Sequence, residues 1–363
     1  MIIILSPQFA PAYKAGGPIK SIGGIVGILR RANFKFKVIA LDYDIDGTKL
    51  DTTKFEEDVD YVPKVTIKSL ITYFKGSELI WFNTLYSPSF SIYPLLALFF
   101  TKKTTVLVSP RGQLLQGALS LKKRMYLRVF KFLLRATGHK IVAHFTNEQE
   151  LEKSIGTFKE FKTIVLNNPI SGVLKGDSNL KRPDPNFVIG YFGRISPIKN
   201  IEFILNLLPE LDASVSFHIH GAFEDLAYQA QLEKLISTLK ISNRVRFCGT
   251  YDTNTFAAKT NEVDLMVIPS FSENFCHVFF EAIEVRKIVI ASDGLPWEDA
   301  NKTVKNTIMP LQPKRWIDRI EYVQNLSFEA YKKEQEDLVV FYNRIYSEVQ
   351  QETVSNFNTI LNN

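Results

Sequence analysis

Asp264-Leu265-Met266-Val267-Ile268-Pro269-Ser270-Phe271-Ser272-Glu273-Asn274-Phe275-Cys276-His277-Val278-Phe279-Phe280-Glu281-Ala282 passes from an apolar run, through a polar loop, into a helical pattern. The apolar run is short and unbroken, as expected of a parallel strand buried on both faces. Strand, loop and helix start in this order aim backbone N–H groups at an anion. Glu273 falls at the mouth of the loop, and Glu281 falls inside the helix, about two turns deeper along its axis. A ligand with a phosphate in its middle and hydroxyls at both ends fits two carboxylates placed this way.

The same alternation extends in both directions. In the first half, Met1–Leu5, Lys37–Leu41, Leu79–Phe82, Thr105–Ser109 and Ile141–Phe145 read as strands, with helices over Pro18–Arg31 and Leu121–Ala136. In the second half the strands are Phe187–Phe192, Ser214–His220, Val245–Cys248, Leu265–Pro269 and Ile288–Ala291. The helices there are Asn200–Leu208, Leu226–Leu239, Phe279–Arg286 and Trp316–Leu326, and a closing helix runs from Glu329 to about Gln351. The pattern predicts an α/β chain of two Rossmann-like domains facing across a cleft. Polar Ser171–Asn186 is the linker. The domains are therefore 1–170 and 171–339, with a C-terminal helix at about 340–363 packing back on the first.

Composition narrows the function. A chain of 363 residues is too long for one typical core, and 45% hydrophobic residues is an ordinary globular fraction. The net charge of +6 is mild, and no concentrated basic-aromatic stripe marks a nucleic-acid binder. Only Cys248 and Cys276 are present, so no disulfide framework is expected and a cytoplasmic setting follows. The apolar Met1–Pro7 reads as a first strand, and Ile92–Phe100 is about half the length that spans a bilayer.

Gly190-Tyr191-Phe192-Gly193-Arg194-Ile195-Ser196-Pro197-Ile198-Lys199-Asn200 joins a strand to an amphipathic helix. Arg194 offers a bidentate fork and Lys199 a compact charge, a pair suited to a diphosphate. The competing reading is a solvated turn with two exposed cations. Taken together, Gly193-Arg194-x-Ser196-x-x-Lys199-Asn200, Pro269-Ser270, and Glu273 followed by Glu281-Ala282 resemble the signature of family 4 (group 1) glycosyltransferases. Ile288-Val289-Ile290-Ala291-Ser292-Asp293-Gly294-Leu295-Pro296-Trp297 and Val165-Leu166-Asn167-Asn168-Pro169 are similar to that family too. Ala15-Gly16-Gly17-Pro18 resembles its glycine-rich loop. Ser109-Pro110-Arg111-Gly112 and Phe145-Thr146, with Glu148 and Glu150, resemble a capsule and lipopolysaccharide biosynthesis subgroup.

That resemblance implies a GT-B fold and a retaining hexosyltransferase that uses a nucleotide-diphosphate sugar, acting in bacterial surface polysaccharide biosynthesis. It implies catalytic roles for Arg194 and Lys199 on the diphosphate and for Glu273 on the transferred sugar. Donor binding would fall to Gly16, Gly17 and Gly193, to Glu281 on the ribose, and to backbone N–H groups across Asn274, Phe275, Cys276, His277 and Val278. The sequence departs from the family at Cys276, where glycine is frequent, and at His277, which either reaches the donor or faces water. Asn83 in Phe82-Asn83-Thr84 stands where relatives carry a histidine; with Arg111 it is the acceptor-side candidate, and no general base is assigned. No Asp-x-Asp ligand pair and no histidine cluster is read, and two cations with a helix N-terminus can replace a divalent ion, so no metal and no cofactor beyond the donor substrate is expected.

The partners expected are a nucleotide-sugar donor and a glycan or lipid-linked acceptor, with no nucleic acid. Lys122–Arg135 mixes cations with large apolar residues at helical spacing. It reads either as a peripheral contact with the cytoplasmic face of the inner membrane or as a core helix with a solvated basic face. His218 and His220 alternate on one strand and are read as lining the core or the strand-end cleft rather than binding a metal. Two rival functions remain open: a nucleotide-sugar epimerase of the same fold, and a non-catalytic nucleotide-sugar-binding partner protein.

Overall fold

The computed structural model describes residues 1–12, 17–53, 57–114, 120–158, 160–172, 174 and 186–362. The chain divides into two compact units, Met1–Ser171 with Tyr346–Asn363, and Gly172–Ile345. Most of the segment read as the linker lies outside the described residues, as do Ala15 and Gly16.

The first unit is built on a seven-stranded parallel sheet. Its strands are β1 (Ile2–Leu5), β2 (Phe36–Leu41), β3 (Val59–Val62), β4 (Leu79–Phe82), β5 (Thr105–Val108), β6 (Lys140–Phe145) and β7 (Lys162–Val165), in the order β3-β2-β1-β4-β5-β6-β7. The intervening helices are α1 (Gly17–Arg31), α2 (Ile67–Phe74), α3 (Tyr93–Leu98), α4 (Leu121–Ala136) and α5 (Glu148–Phe158). Every residue of β1, β4 and β5 is buried, which is why these strands read as unbroken apolar runs. The edge strands β3 and β7 carry no fully buried residue and were not foreseen. Polar residues on an exposed edge weaken the apolar signal while blunting edge-to-edge association.

The second unit holds a six-stranded parallel sheet, ordered β10-β9-β8-β11-β12-β13. Here β8 is Val188–Phe192, β9 Ser216–His220, β10 Val245–Phe247, β11 Leu265–Ile268, β12 Ile288–Ser292 and β13 Ile308–Met309. The helices are α6 (Ile201–Leu207), α7 (Leu226–Thr238), α8 (Thr253–Thr260), α9 (His277–Glu284) and α10 (Pro313–Gln324). One large cluster on this sheet gathers Phe187, Ile189, Phe217, Ile219, Val267, Ile290 and Trp316.

The closing helix, α11 (Phe328–Asn362), is longer than the reading to Gln351. Its last part is rich in Thr, Ser and Asn, which are weak helix formers. Packing overrides that weakness. Phe357 is fully buried in the first unit, edge-on to Trp81 at 5.6 Å and to Phe34 at 6.3 Å.

A buried polar chain crosses the first unit. Trp81 Nε1 donates to Ser109 Oγ at 2.6 Å, and Ser109 Oγ lies 2.6 Å from His144 Nδ1. His144 Nε2 lies 2.9 Å from the Leu166 carbonyl, so the neutral tautomer with its proton on Nε2 satisfies every partner. Burial, then the Arg111 charge, pull His144 down to about 3. The unfolded chain therefore binds the extra proton first, and this stabilisation is complete above pH ~6.5 and fades as pH falls towards 3. Lowering pH from 7 to 5 should cost about 2 kcal/mol through this residue alone. Urea unfolding midpoints at the two pH values check it, and His144→Gln should flatten the dependence.

Candidate functional site

In the second sheet β8 and β11 are neighbours whose following connections run to opposite sides, which makes their carboxyl ends the topological switch point. The loop after β8 carries Gly193 to Asn200, and the loop after β11 carries Pro269 to Cys276. Hydrogen bonds join them. Phe271 N donates to the Ile198 carbonyl at 2.9 Å, and Asn200 Nδ2 to the Pro269 carbonyl at 3.1 Å. The β12 end is attached as well, through Glu273 N to the Gly294 carbonyl at 2.9 Å.

These bonds bring Lys199 and Glu273 together. Lys199 Nζ sits 2.6 Å from Glu273 Oε1, and the side chains are only 14% and 12% exposed. Ser270 Oγ donates to the same carboxylate oxygen at 2.7 Å. The sequence marked both residues but not their pairing, because they are 74 positions apart. Arg194 behaves differently: it is 68% exposed and ion-paired with Glu224, a partner that no local pattern singles out. Arg194 thus lies on the solvent side of the turn, whereas Lys199 is enclosed.

The Gly193 turn is held from below. Gly193 N donates to the His220 carbonyl at 3.0 Å, and Gly221 N to the Gly249 carbonyl at 2.9 Å. The turn passes so close to Gly221 that a Cβ there would lie 1.7 Å from the Gly193 carbonyl oxygen.

Cys276 caps α9 in the left-handed region, with φ at 65° and ψ at 71°. This explains why glycine would suit the position: it adopts that conformation without a Cβ penalty. Burial, and next the Glu273 charge, push the Cys276 thiol well up, so it stays protonated. The helix begins at His277, two residues before the predicted start, so Glu281 is its fifth residue and stands a little over one turn in. The N–H groups of the first turn, on His277 and Val278, have no acceptor within the helix ladder and point out of its start. His277 is half-buried, its ring 4.6 Å from Phe275. Phe275 is itself fixed, its carbonyl accepting from Trp297 Nε1 at 2.6 Å and its ring edge-on to Trp297 at 5.1 Å. The Glu281 carboxylate bears on Tyr251, whose hydroxyl is pushed up first by burial and then by that charge.

In the first unit, Gly17 is exposed at the start of α1. Asn83 and Arg111 are brought into direct contact. Arg111 Nε and Nη2 donate to Asn83 Oδ1 at 3.1 and 2.8 Å, and Nη1 to Asn168 Oδ1 at 2.9 Å. Asn83 Nδ2 donates to the Leu5 carbonyl at 3.2 Å, so its amide is committed to the protein. Burial pulls the Arg111 guanidinium down to about 10, against the opposing pull of Glu150. Glu150 in turn accepts from Gly112 N, and at 2.8 and 2.7 Å from Thr146 N and Oγ1.

The chain does contain Asp-x-Asp spacings, in Asp42-Tyr43-Asp44-Ile45-Asp46 and Asp58-Val59-Asp60, which overturns the reading that no such pair is present. The structure employs several of these acids locally. Asp44 and Asp46 accept from the backbone N–H groups of Ile45 and Thr48, at 2.7 and 3.1 Å. Asp58 pairs with Arg30 and Asp60 with Lys37, each at 2.9 Å. Among the described residues no helix is long and apolar enough to cross a membrane.

Residues 175–336 match the family model described as glycosyl transferases group 1. A D-inositol 3-phosphate glycosyltransferase of Mycobacterium ulcerans (strain Agy99) is 33% identical over 119 residues, covering 32% of this chain and 25% of that relative. Its counterpart in Mycobacterium leprae (strain TN) is 28% identical over 145 residues, covering 39% of this chain and 33% of the relative. The chain thus spans a third or less of the length of these two curated relatives. The crystal structure of Anabaena Alr3699/HepE in complex with UDP and glucose superimposes with a TM-score of 0.72 at 17% identity, covering 99% of each chain. The lipopolysaccharide outer core galactosyltransferase WaaB, in its apo form, gives 0.67 at 15% identity, covering 98% of this chain and 99% of its own. At such identities the likeness shows the fold, which is GT-B.

Proposed function

We propose, from the match of residues 175–336 to the group 1 glycosyl transferases, that the chain transfers a sugar from a nucleotide-diphosphate donor to a hydroxyl of a glycan or lipid-linked acceptor. Transfer proceeds with retention at the anomeric carbon, in bacterial surface polysaccharide assembly. The observation that carries this reading is the largely buried Lys199–Glu273 pair beside the start of α9. Lys199 and the α9 N–H groups take the negative charge that grows on the departing diphosphate, and Arg194 takes it from the solvent side. Glu273, held by Lys199 and Ser270, meets the transferred sugar. Glu281, a turn deeper beside Tyr251, takes the ribose hydroxyls. The charge is met by side chains and backbone, so Mg²⁺ and Mn²⁺ are not needed. On the acceptor side the candidate is Arg111, which Asn83 and Asn168 hold in place.

Donor screening against uridine, guanosine and adenosine diphosphate sugars, without added Mg²⁺ or Mn²⁺, tests the activity. Failure of every donor to bind or turn over would overturn it. The division of labour has its own test. Glu281→Gln should weaken binding of the bare nucleoside diphosphate about tenfold, as charge-assisted bonds to the ribose are lost. Glu273→Gln should leave that binding nearly intact and depress transfer. Calorimetry with the diphosphate, beside turnover with the full donor, separates the two. Equal weakening in both variants would refute the assignment.

A lipid-linked acceptor is favoured by one face of α4. Leu127, Phe130 and Leu134 face the core, whereas Leu121, Met125, Val129 and Phe132 are 58–75% exposed. At 100° per residue those four fall in a sector of about 80°, bordered by Lys122 on one side and Arg128 and Arg135 on the other. The helix carries no acidic residue. An exposed apolar stripe between cations suits an anionic bilayer surface, where each cation adds about 1 kcal/mol. Sedimentation with anionic vesicles should recover the protein, and Met125→Asp with Phe132→Asp should release it. Equal recovery of the two proteins would sink the idea.

A further inference from the structure

The carboxyl ends of β9 and β10 gather three side chains that the donor chemistry does not use. Ligand-competent atoms of His218, His220 and Cys248 all lie within 4.8 Å of one another. Strand geometry produces the cluster. Residues two apart on β9 share a face, so His218 and His220 point the same way. β10 pairs in parallel with His218 opposite Arg246 and Ile219 opposite Phe247, and Cys248 N donates to the Ile219 carbonyl at 2.8 Å. One step further along the ladder sets Cys248 beside His220, on the same face.

The histidines are not satisfied by the protein. His220 is 1% exposed, yet among the described residues neither of its ring nitrogens has a hydrogen-bond partner. His218 Nδ1 is likewise buried without one. Packing fixes the His220 ring, which stacks on Phe192 at 4.2 Å and within 4° of parallel. Buried, unpaired imidazole nitrogens are costly, and a group left so calls for an explanation. The sequence reading of these histidines as core-lining accounts for their burial but not for two rings facing a thiol.

We propose that His218, His220 and Cys248 form a site for a thiophilic divalent cation of the zinc class. Two imidazoles and a thiolate are a donor set that suits zinc and is poorly matched to Mg²⁺ or Ca²⁺. Three atoms no more than 4.8 Å apart share a point at most about 2.8 Å from each, so small side-chain rotations reach zinc bond lengths of about 2.0–2.3 Å. Burial works against the Cys248 thiolate, while Arg246 and Lys259 favour it. Lys259 also donates to the Cys248 and Thr250 carbonyls, at 3.2 and 3.1 Å, which holds the end of β10 in place. The ion would tie the three-residue edge strand β10 to β9 and leave a fourth position for water or a small ligand. This site is independent of the hard-cation question at the donor loops.

Cobalt is the probe. The full chain, stripped with chelator, is titrated with Co²⁺ and followed by visible and near-ultraviolet absorption. One equivalent should develop a thiolate-to-cobalt charge-transfer band with the intense ligand-field bands of a tetrahedral ion, and Zn²⁺ should displace it. Cys248→Ser should abolish the charge-transfer band, and Cys276→Ser should retain it. His218→Gln, which leaves the buried ring in place, should weaken cobalt binding at least tenfold, and Zn²⁺ should raise the unfolding temperature of the wild type but not of Cys248→Ser. Absence of the band in wild type, or its persistence in Cys248→Ser, would overturn the proposal. Water alone filling the cluster gives the first of these results.

Discussion

Lys199→Ala is expected to lower kcat about 100-fold, close to the 3 kcal/mol that one preorganised donor to a developing anion supplies. The loss should fall on kcat more than on KM, because charge on the departing diphosphate is larger in the transition state than in the bound donor. Lys199 is mostly buried against Glu273, so its removal also strands a carboxylate with Ser270 as its remaining named partner. Part of any damage could therefore be structural. The double variant Lys199→Ala/Glu273→Gln separates the effects. Neutralising the stranded carboxylate should return the unfolding midpoint towards that of Glu273→Gln, without restoring turnover. Wild-type kcat in Lys199→Ala would remove Lys199 from the mechanism.

Gly221→Ala should destabilise the protein by about 4 kcal/mol, combining left-handed-region strain with overpacking against backbone. The methyl would lie 1.7 Å from the Gly193 carbonyl oxygen, and a carbonyl in a hydrogen-bonded turn has no rotamer through which to yield. Gly221 itself has φ at 157°, at the limit of the region in which side chains are strained. Gly249→Ala is the internal control. Its φ is 70°, but nothing lies within 4 Å of the added carbon, so only the backbone term of about 1 kcal/mol should appear. Urea unfolding of both variants checks the difference. Similar midpoints would mean that the Gly193 turn gives way, and donor affinity should then fall with it.

The central strands were legible because burial on both faces leaves a plain signature, as in Ile2-Ile3-Ile4-Leu5 and Leu265-Met266-Val267-Ile268. Of the edge strands only β10 was read, as Val245–Cys248; β3, β7 and β13 were not. β13 has two residues, and β3 has Asp60 in its middle. Helix α8 was missed as well: Thr253-Asn254-Thr255 opens it with poor helix formers, and it forms where Phe256 can pack under Phe192. At the site, strand-loop-helix spacing marked Lys199, Glu273 and Glu281 one by one. What spacing could not convey is that Lys199 and Glu273 neutralise each other, while Arg194 leans outward to Glu224. Nor could it show that Cys276 occupies a left-handed cap. The convergence of His218, His220 and Cys248 depends on parallel register between strands whose pairing no local pattern encodes.

Trp297 gives the molecule an optical property of its own. The protein has three tryptophans. Trp81 is locked to Ser109 in one core, and Trp316 donates to the Pro310 carbonyl in the other. Trp297 alone donates into the loop after β11, with its indole wedged edge-on between Phe275 and Phe280 at 5.1 and 4.8 Å. Any shift of Phe275 alters both the field along that N–H and the rings that surround it. The emission of one native fluorophore is thereby wired to the loop that would grip a ligand, and Trp316, held in the core of the same unit, serves as a reference. Occupancy can be followed in the unlabelled protein, on the stopped-flow timescale, before any product is formed.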